Sequence, residues 1–236
     1  MGELYEKLEK DVRFLESLKA CINCGTCTAI CPAAEFYNYD PRTIATTVQT
    51  KNDAKIIELL KSETIWYCGE CMSCKTRCPR GNAPGLMVIA LRSLSQDLGY
   101  FVESEKGRQQ LALKRTIGEW TIKYGYCVHP DNVNPRLHPE QGPVWEWERE
   151  NIQPVMQKLG ANYKGDGPGA LRKISDADLQ EIKNIFDVTG GTERFNNIEK
   201  FSEKKADEMH LEFGHDMDSP YFDYVYTTNN STHTKE

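Results

Sequence analysis

The chain has 236 residues, of which 39% are hydrophobic and 27% are charged, and this composition suits about one to one and a half soluble folded domains. Its formal net charge is -6, so no excess of basic residues favours a nucleic-acid-binding surface. The longest strongly apolar stretch, residues 81–91, is well short of the roughly 20 residues that span a bilayer, and residues 1–20 show no signal-peptide core. We therefore expect a cytoplasmic protein without a transmembrane span.

Residues 1–20 have the apolar periodicity of a helix. Apolar side chains recur at spacings of three or four, at Leu4, Leu8, Val12, Leu15 and Leu18. This pattern predicts one amphipathic helix of about four turns. Such a face usually covers the protein's own core, and docking on a partner protein is the alternative.

Eight of the nine cysteines form two runs with one spacing, C-x2-C-x2-C-x3-C-P, which ends at Pro32 in the first run and at Pro79 in the second. This is the spacing of a two-cluster bacterial ferredoxin, in which the fourth cysteine of each run ligates the other cluster. Three thiolates on one loop each reach a different iron, and the fourth iron needs a ligand from elsewhere. We therefore predict two 4Fe-4S clusters, the first on Cys21, Cys24, Cys27 and Cys78 and the second on Cys68, Cys71, Cys74 and Cys31.

Other uses of cysteine fit this pattern less well. A disulfide framework is typical of small exported proteins, and this chain lacks both the small size and the signal. Zinc sites usually take two C-x2-C pairs separated by a longer loop. The ninth cysteine, Cys127, stands alone, with His129 and His138 as candidate metal ligands beside it, although a lone cysteine is more often a small buried apolar residue.

Helical patterns dominate the rest of the chain. Asp40 before Pro41 marks a helix start between the runs, and a second helix is predicted from about Asn52 to Ser62. The helix after the second run should end near Gly99, a good C-cap. Later helices are predicted around Leu113, Ile117, Trp120 and Tyr124, from Ser175 and from Thr192. No alternating strand pattern occurs, so we predict a mainly α fold.

The C-terminal half contains no further cluster ligands. Residues 125–169 are rich in Pro, Gly, His and Trp and predict a long ordered loop or an extended arm. Residues 175–236 carry 14 acidic and 6 basic residues, and their aromatic tail is expected either to order on a partner or to be a disordered terminus. We interpret this half as a docking device, with an independent helical bundle as the alternative. The anchors we predict are Trp145, Trp147, Tyr221, Phe222 and Tyr224.

The two cysteine runs also carry a family resemblance. Residues 21–32, CINCGTCTAICP, and residues 66–74, WYCGECMSC, resemble the alpha-helical ferredoxin domain shared by the C subunits of heterodisulfide reductase and glycerol-3-phosphate dehydrogenase and by the iron-sulfur protein of succinate dehydrogenase. Residues 1–20 cannot hold the plant-type cluster domain of the succinate enzyme, and no Cys-Cys-Gly sequence of the glycerol-3-phosphate enzyme occurs. Over about residues 3–100, the chain is most similar to the C subunit of heterodisulfide reductase.

The residue patterns and this resemblance together divide the chain into an N-terminal amphipathic helix at 1–20, a two-cluster alpha-helical ferredoxin domain at 21–100, a helical and loop extension at 101–213 and an aromatic and polar tail at 214–236. So long an extension resembles the heterodisulfide-reductase-like complexes of sulfur-oxidising bacteria and archaea. The resemblance implies a cytoplasmic disulfide or sulfur-metabolism complex. Its partners would be a flavin-binding A subunit, and a B subunit with noncubane clusters on CCG motifs.

The function that the residues favour is a one-electron relay without a catalytic site of its own. No glycine-rich dinucleotide loop, G-x-S-x-G or H-E-x-x-H motif occurs in the chain. The small residues Gly25, Thr26, Gly69 and Ser73 should let backbone N–H groups approach the sulfurs. The alternatives are an iron-sulfur subunit of a succinate or glycerol-3-phosphate type complex, a self-contained enzyme with a site near Cys127, and a scaffold whose clusters never turn over.

The charges near the second run suggest an order of electron flow. Lys75, Arg77 and Arg80 accompany the second run, whereas residues 20–39 contain only one charged residue, Glu35. Positive charge stabilises the reduced, more negative cluster. We therefore expect the second cluster to have the higher potential and to be the later acceptor.

Overall fold

The computed structural model describes residues 2–227, which form helices and helical turns joined by loops with no strand among them, and this confirms the mainly α fold. The chain folds as two compact units. Within the described range, the first unit contains the residues up to Ala112 together with Asn196–Thr227, and the second contains Leu113–Phe195. The units therefore differ from the four consecutive segments expected from the sequence, because the C-terminal residues return to the first unit. None of the helices in the described range is long and apolar enough to cross a membrane.

The N-terminal segment forms two short helices, Glu3–Leu8 and Val12–Ser17, instead of the single four-turn helix that its periodicity predicts. The Asp11 carboxylate accepts the backbone N–H of Arg13 at 2.9 Å and caps the second helix. A side chain in that role starts a new helix, because it satisfies an N–H that would otherwise bond to the preceding turn.

Only part of the predicted N-terminal apolar face covers the core. Leu4, Leu8 and Phe14 are buried, whereas Val12 and Leu15 are 65% and 60% exposed. The break between the two helices rotates the second helix. Phe14 is therefore buried in the core in place of Val12 and Leu15, which the periodicity predicts to be buried. The prediction of one continuous buried stripe was therefore wrong.

The segment that carries the two cysteine runs, residues 21–100 (the cluster-binding segment), contains six α-helices and the 3-10 turn Thr64–Trp66. Asp40 accepts N–H groups of Arg42 and Thr43, and Gly99 has a φ of 77°, so both predicted helix boundaries are confirmed. The six helices are Thr26–Ala29, Pro32–Phe36, Pro41–Gln49, Asp53–Lys61, Ser73–Arg77 and Pro84–Leu98.

The longest of these helices, Pro84–Leu98, lies at the centre of the first unit. It packs against the helices Val12–Ser17, Pro41–Gln49 and Asp53–Lys61, among others. Its buried Met87 and Leu91 belong to one apolar core. The facing helices contribute Ile44, Val48, Ile56 and Leu60 to that core. The two cysteine runs precede this helix in the sequence. Helices that lie between and after the runs pack on it, so the runs are anchored to a common core.

The C-terminal helices Gly191–Glu208 and Pro220–Thr227 contribute residues to the first unit. Tyr221 and Phe222 are fully buried there, so these two predicted anchors are wrong as partner contacts. The Phe201 ring lies against Gly99, where an added Cβ would come within 2.5 Å of it. The aromatic tail is thus ordered within its own chain, and its polar end after residue 227 lies outside the described residues.

The second unit has more helix than expected. It contains a short 3-10 turn, Pro130–Asn132, and a π-helical turn, Lys114–Gly118, which interrupts the helix predicted around Trp120. Its α-helices include Glu119–Tyr124, Gly142–Glu150, Ile152–Lys158 and Asp176–Val188. Residues 125–169 were expected to be a loop or an arm, and two of these helices lie in that segment. Proline in a first helical turn lacks only an N–H that has no partner there, so proline does not exclude a helix start.

The two tryptophans of this segment differ in their surroundings. The Trp145 indole N–H donates to the Val133 carbonyl at 2.9 Å, so this side chain is fastened within the unit. Trp147 is 57% exposed. Of the two tryptophan anchors we predicted, only Trp147 is thus mainly exposed.

We expect Phe222→Ala to lower the free energy of unfolding by about 3–5 kcal/mol, because it removes a fully buried ring and leaves a cavity in the first unit. Trp147→Ala is the control and should change stability by less than about 0.5 kcal/mol, since the ring is mostly exposed. Urea denaturation followed by circular dichroism measures both. A Phe222→Ala chain as stable as the control would show that the tail does not support the unit.

Candidate iron-sulfur site

The two cysteine runs repeat one backbone conformation. In the first run Asn23 and Gly25 have left-handed φ angles of 57° and 80°, and in the second run Glu70 and Met72 have φ angles of 56° and 59°. Left-handed residues turn successive N–H groups toward the inside of a loop and form a concave site for negative charge. Only Gly25 signals this conformation in the sequence, because Met72 adopts it despite its Cβ.

This conformation places donors beside the same sulfurs in both runs. The N–H of Asn23 donates to Cys21 Sγ at 3.4 Å, and the N–H of Glu70 donates to Cys68 Sγ at 3.4 Å. N–H donors of this kind stabilise a thiolate or a reduced cluster. The expected approach of backbone N–H groups to sulfur is thus present in both runs.

The hydroxyl groups of Thr26 and Ser73 have a role that the sequence did not indicate. They lie 3.3 Å and 3.4 Å from the sulfurs of Cys24 and Cys71. These contacts lower the pKa of both thiols, so each run has one exposed cysteine that forms a thiolate readily.

The other six cysteines of the two runs are partly buried. Burial raises the pKa of the Cys27, Cys31 and Cys74 thiols, because a thiolate loses hydration there. Coordination to a cationic iron centre would offset that cost. The electrostatics of these residues are therefore suited to metal ligation.

Three thiols of the first run share a cavity with the last cysteine of the second run. The short helices Thr26–Ala29 and Ser73–Arg77 pack against each other, which carries Cys78 across to the first run. Arg42 and Arg80 also line this first cavity. Its cysteines are Cys21, Cys24, Cys27 and Cys78.

The second cavity has the reciprocal composition. Its volume is about 470 Å³, and its cysteines are Cys68, Cys71, Cys74 and Cys31. No charged residue lines it within the described range, and its aromatic wall includes Tyr37 and Tyr67, stacked with ring centroids 4.7 Å apart. The residues of this wall are Phe36, Tyr37, Tyr39, Trp66 and Tyr67. Two cavities of similar thiol content therefore have different electrostatic surroundings.

Two buried hydrogen-bond donors in the wall of the second cavity indicate that it suits a cluster. The Tyr39 hydroxyl and the Trp66 indole N–H are buried without an acceptor in the part of the chain that the structure describes. Burial, followed by the charge of neighbouring Cys68, raises the pKa of Tyr39, so its hydroxyl keeps its proton as a donor. The sulfurs of a cluster accept hydrogen bonds. The donors and the four thiols therefore fit a 4Fe-4S group.

Two side chains hold the runs in place from neighbouring helices. Arg92 donates to the carbonyls of Ile65 and Cys68 at 2.7 Å and to the Glu70 carboxylate at 2.5 Å. Gln49 accepts the Cys21 N–H at 2.7 Å. The role of Arg92 has no signal in the sequence, because its contacts arise from the packing of its helix.

The surroundings of Cys127 differ from those of the two runs. Cys127 is exposed, so it is not the buried apolar residue that is more usual for a lone cysteine. His129 accepts the Asp131 N–H at 3.2 Å, and His138 lies 3.0 Å from the Glu140 carboxylate. No group of three Cys, His, Asp or Glu residues in the range 2–227 could hold a single metal ion. A 4Fe-4S cluster takes one thiolate per iron, so its sulfurs surround a cavity and do not converge on one point.

The comparisons with known proteins agree with this geometry. Residues 17–82 match the family model described as a 4Fe-4S dicluster domain. This span contains all eight cysteines of the two runs. Two 4Fe-4S clusters are the cofactors of this domain.

The C subunit of the ferredoxin:CoB-CoM heterodisulfide reductase of Methanosarcina acetivorans is 37% identical to this chain over 193 residues, which cover 81% of the chain and 70% of the relative. The chain belongs to the family of heterodisulfide reductase C subunits. The C 2 iron-sulfur subunit of the CoB--CoM heterodisulfide reductase of Methanocaldococcus jannaschii is 28% identical over 60% of this chain and 72% of its own length. The C subunit of the H(2):CoB-CoM heterodisulfide,ferredoxin reductase of Methanothermobacter marburgensis is 28% identical over 74% and 76%.

The family resemblance seen in the cysteine runs is thereby confirmed. The Methanosarcina acetivorans relative aligns with 81% of this C subunit, so the alignment includes much of the C-terminal half. The length of the extension therefore does not separate this chain from C subunits named for CoB-CoM heterodisulfide. The resemblance to the complexes of sulfur-oxidising bacteria and archaea, which was based on the length of the extension, stays an expectation.

We expect Tyr39→Phe to lower the midpoint potential of the second cluster by up to roughly 40 mV, the one-electron equivalent of a hydrogen bond of about 1 kcal/mol. Tyr37→Phe is the matched control, because its ring lines the same cavity and stacks on Tyr67. A redox titration followed by EPR compares the two. Equal shifts in both variants would show that the Tyr39 hydroxyl does not reach the cluster.

Proposed function

We propose that this chain relays single electrons between two partner subunits of a hetero-oligomeric redox complex. The observation that carries the proposal is the pair of neighbouring cavities in one folded unit, each lined by three cysteines of one run and the fourth of the other. When bound, each 4Fe-4S cluster supplies one-electron redox chemistry. Two clusters held in one unit provide an entry and an exit for an electron.

The ligand assignment is part of this proposal. Cys21, Cys24, Cys27 and Cys78 hold the first cluster, and Cys68, Cys71, Cys74 and Cys31 hold the second. The cavity linings and the two-cluster ferredoxin spacing support this crossed arrangement. Cys24 and Cys71 are exposed, one in each set, so each cluster has a side that a partner can approach.

The partners we propose are a flavin-binding A subunit, and a B subunit with noncubane clusters on CCG motifs. This rests on the resemblance of the cysteine runs and on relatives named as C subunits of heterodisulfide reductases. The same resemblance supports a cytoplasmic complex that processes a disulfide or another sulfur compound. Pull-down of the native chain followed by mass spectrometry tests this composition, and a preparation without either partner would contradict it.

The basic side chains of the second run bear on the expected order of cluster potentials. Lys75 and Arg77 are exposed and line neither cavity, and Arg80 lies at the first cavity instead of the second. The charges that were expected to raise the potential of the second cluster therefore do not surround it. Arg92 lies beside the second cavity, but Glu70 pairs with it at 2.5 Å. Lys75, Arg77 and Arg80 therefore do not support a higher potential for the second cluster, and the order of the two potentials stays a prediction.

The crossed assignment predicts which cluster each cysteine affects. Fully loaded protein should hold about eight irons and eight sulfides. Cys78→Ser should disturb the EPR signal of the cluster held by Cys21, Cys24 and Cys27, because the variant removes the ligand of its fourth iron. The control Cys127→Ser removes a cysteine outside both cavities and should leave both signals unchanged. Loss of the signal of the other cluster in Cys78→Ser would overturn the assignment.

Arg80→Gln should lower the midpoint potential of the first cluster by on the order of 10–50 mV, since an exposed guanidinium is partly screened by solvent. The potential of the second cluster should not change. Arg77→Gln serves as the control, because it removes an equal charge that lines neither cavity. An EPR-monitored titration in which Arg80→Gln moves only the second cluster would contradict the placement.

A further inference from the structure

The second unit contains a cavity of about 430 Å³ that the electron relay does not use. It forms where the helix Glu119–Tyr124 ends and a later segment returns to it. Gly125 has a φ of 77°, and an added Cβ there would come within 2.7 Å of Ile174. The Tyr126 hydroxyl donates to the Arg172 carbonyl at 2.9 Å and fastens the returning segment.

A buried histidine lies in the wall of this cavity. His129 is 6% exposed and is surrounded by the rings of Trp120, Tyr126 and Tyr163, at centroid distances of 6.2 Å, 5.5 Å and 5.6 Å. Its Nδ1 accepts the N–H of Asp131 at 3.2 Å, so the proton of the neutral ring lies on Nε2. Burial lowers the pKa of His129, which favours this neutral form. The ring therefore offers an N–H donor from an aromatic wall.

The charges around the cavity are unbalanced. The Asp131 carboxylate accepts hydrogen bonds from the Tyr163 hydroxyl and, at 2.5 Å, from Lys164 Nζ, so its charge is already compensated within the wall. The cations Lys123, Arg172 and Lys173 line the cavity and form no ion pair with a carboxylate of the described chain. Asp176 is the one other acidic residue among the described lining residues.

We propose that this cavity binds a small organic anion with a flat apolar body. Its volume falls in the range of about 300–1,000 Å³ that is usual for small-molecule sites. Tyr124, Tyr126 and His129 supply apolar ring faces for the body, and Arg172 and Lys173 supply positive charge for the anionic group. Of the two lining carboxylates, Asp131 is neutralised by its own partners, and the four lining cations Lys123, Lys164, Arg172 and Lys173 outnumber Asp131 and Asp176.

The test uses two soluble probes with the same ring system, naphthalene-2-sulfonate and its neutral analogue 2-naphthol. Isothermal titration calorimetry of the full cluster-loaded chain should show that the sulfonate binds about tenfold more tightly than the neutral probe. The double variant Arg172→Gln, Lys173→Gln should weaken sulfonate binding by about tenfold and leave the binding of 2-naphthol unchanged.

Lys200→Gln combined with Lys204→Gln is the charge-matched control, because both side chains are exposed on a helix outside the cavity lining. The control should bind the sulfonate as tightly as the parent chain. Cluster absorbance confirms that each variant is loaded, and circular dichroism confirms that its helix content, including that of the second unit, is unchanged. No sulfonate binding at millimolar concentration, equal binding of both probes, or equal losses in both double variants would overturn the proposal. None of these outcomes depends on electron transfer, so the relay function is tested separately.

Discussion

Each cysteine run supplies three thiols to its own cavity and sends the fourth to the other cavity, and this exchange constrains the whole cluster-binding segment. Three thiolates cannot satisfy four irons, so neither run completes a site alone. The exchange requires the short helices Thr26–Ala29 and Ser73–Arg77 to pack side by side. The helix Pro84–Leu98 then supports the second run through Arg92, whose guanidinium bonds two backbone carbonyls next to the cysteines. Because metal binding releases free energy only in the assembled site, folding of this segment is coupled to cluster binding.

The same backbone conformation is used in two different environments. Both runs repeat left-handed residues, an N–H donor to the first sulfur and a hydroxyl beside the second. The first cavity then has Arg42 and Arg80 in its wall, whereas the second has aromatic rings with the buried donors of Tyr39 and Trp66. Charge, hydrogen bonds and burial are the means by which a protein sets cluster potential. Two clusters of one type are thus given separate electrostatic surroundings, as a directional relay requires.

The C-terminal half contributes to both units, and the division falls within the helix Gly191–Glu208. Its last helices return to the first unit, where Tyr221 and Phe222 are buried, and Phe201 lies against the end of the central helix at Gly99. Residues 113–195 fold as a unit of their own around a ring of aromatic side chains that includes His129. A chain cut after residue 125 would therefore lose part of the first unit together with the extension. We expect a docking surface in this half of the chain. Only its exposed side chains, such as Trp147, are available for such contacts.

The sequence alone determined the cofactor type and the helix boundaries that carry local signals. Cysteine spacing is a local property, and so are the Asp40 cap and the glycine that ends the central helix, since each acts on backbone groups within one or two turns. Only the tertiary structure decided which apolar residues are buried, as at Val12, Leu15 and the aromatic tail. It also decided that Arg80 lines the first cavity and that Tyr39 lines the second. These contacts join residues far apart in the chain, and burial and electrostatic fields depend on distance in space, which spacing along the sequence does not specify.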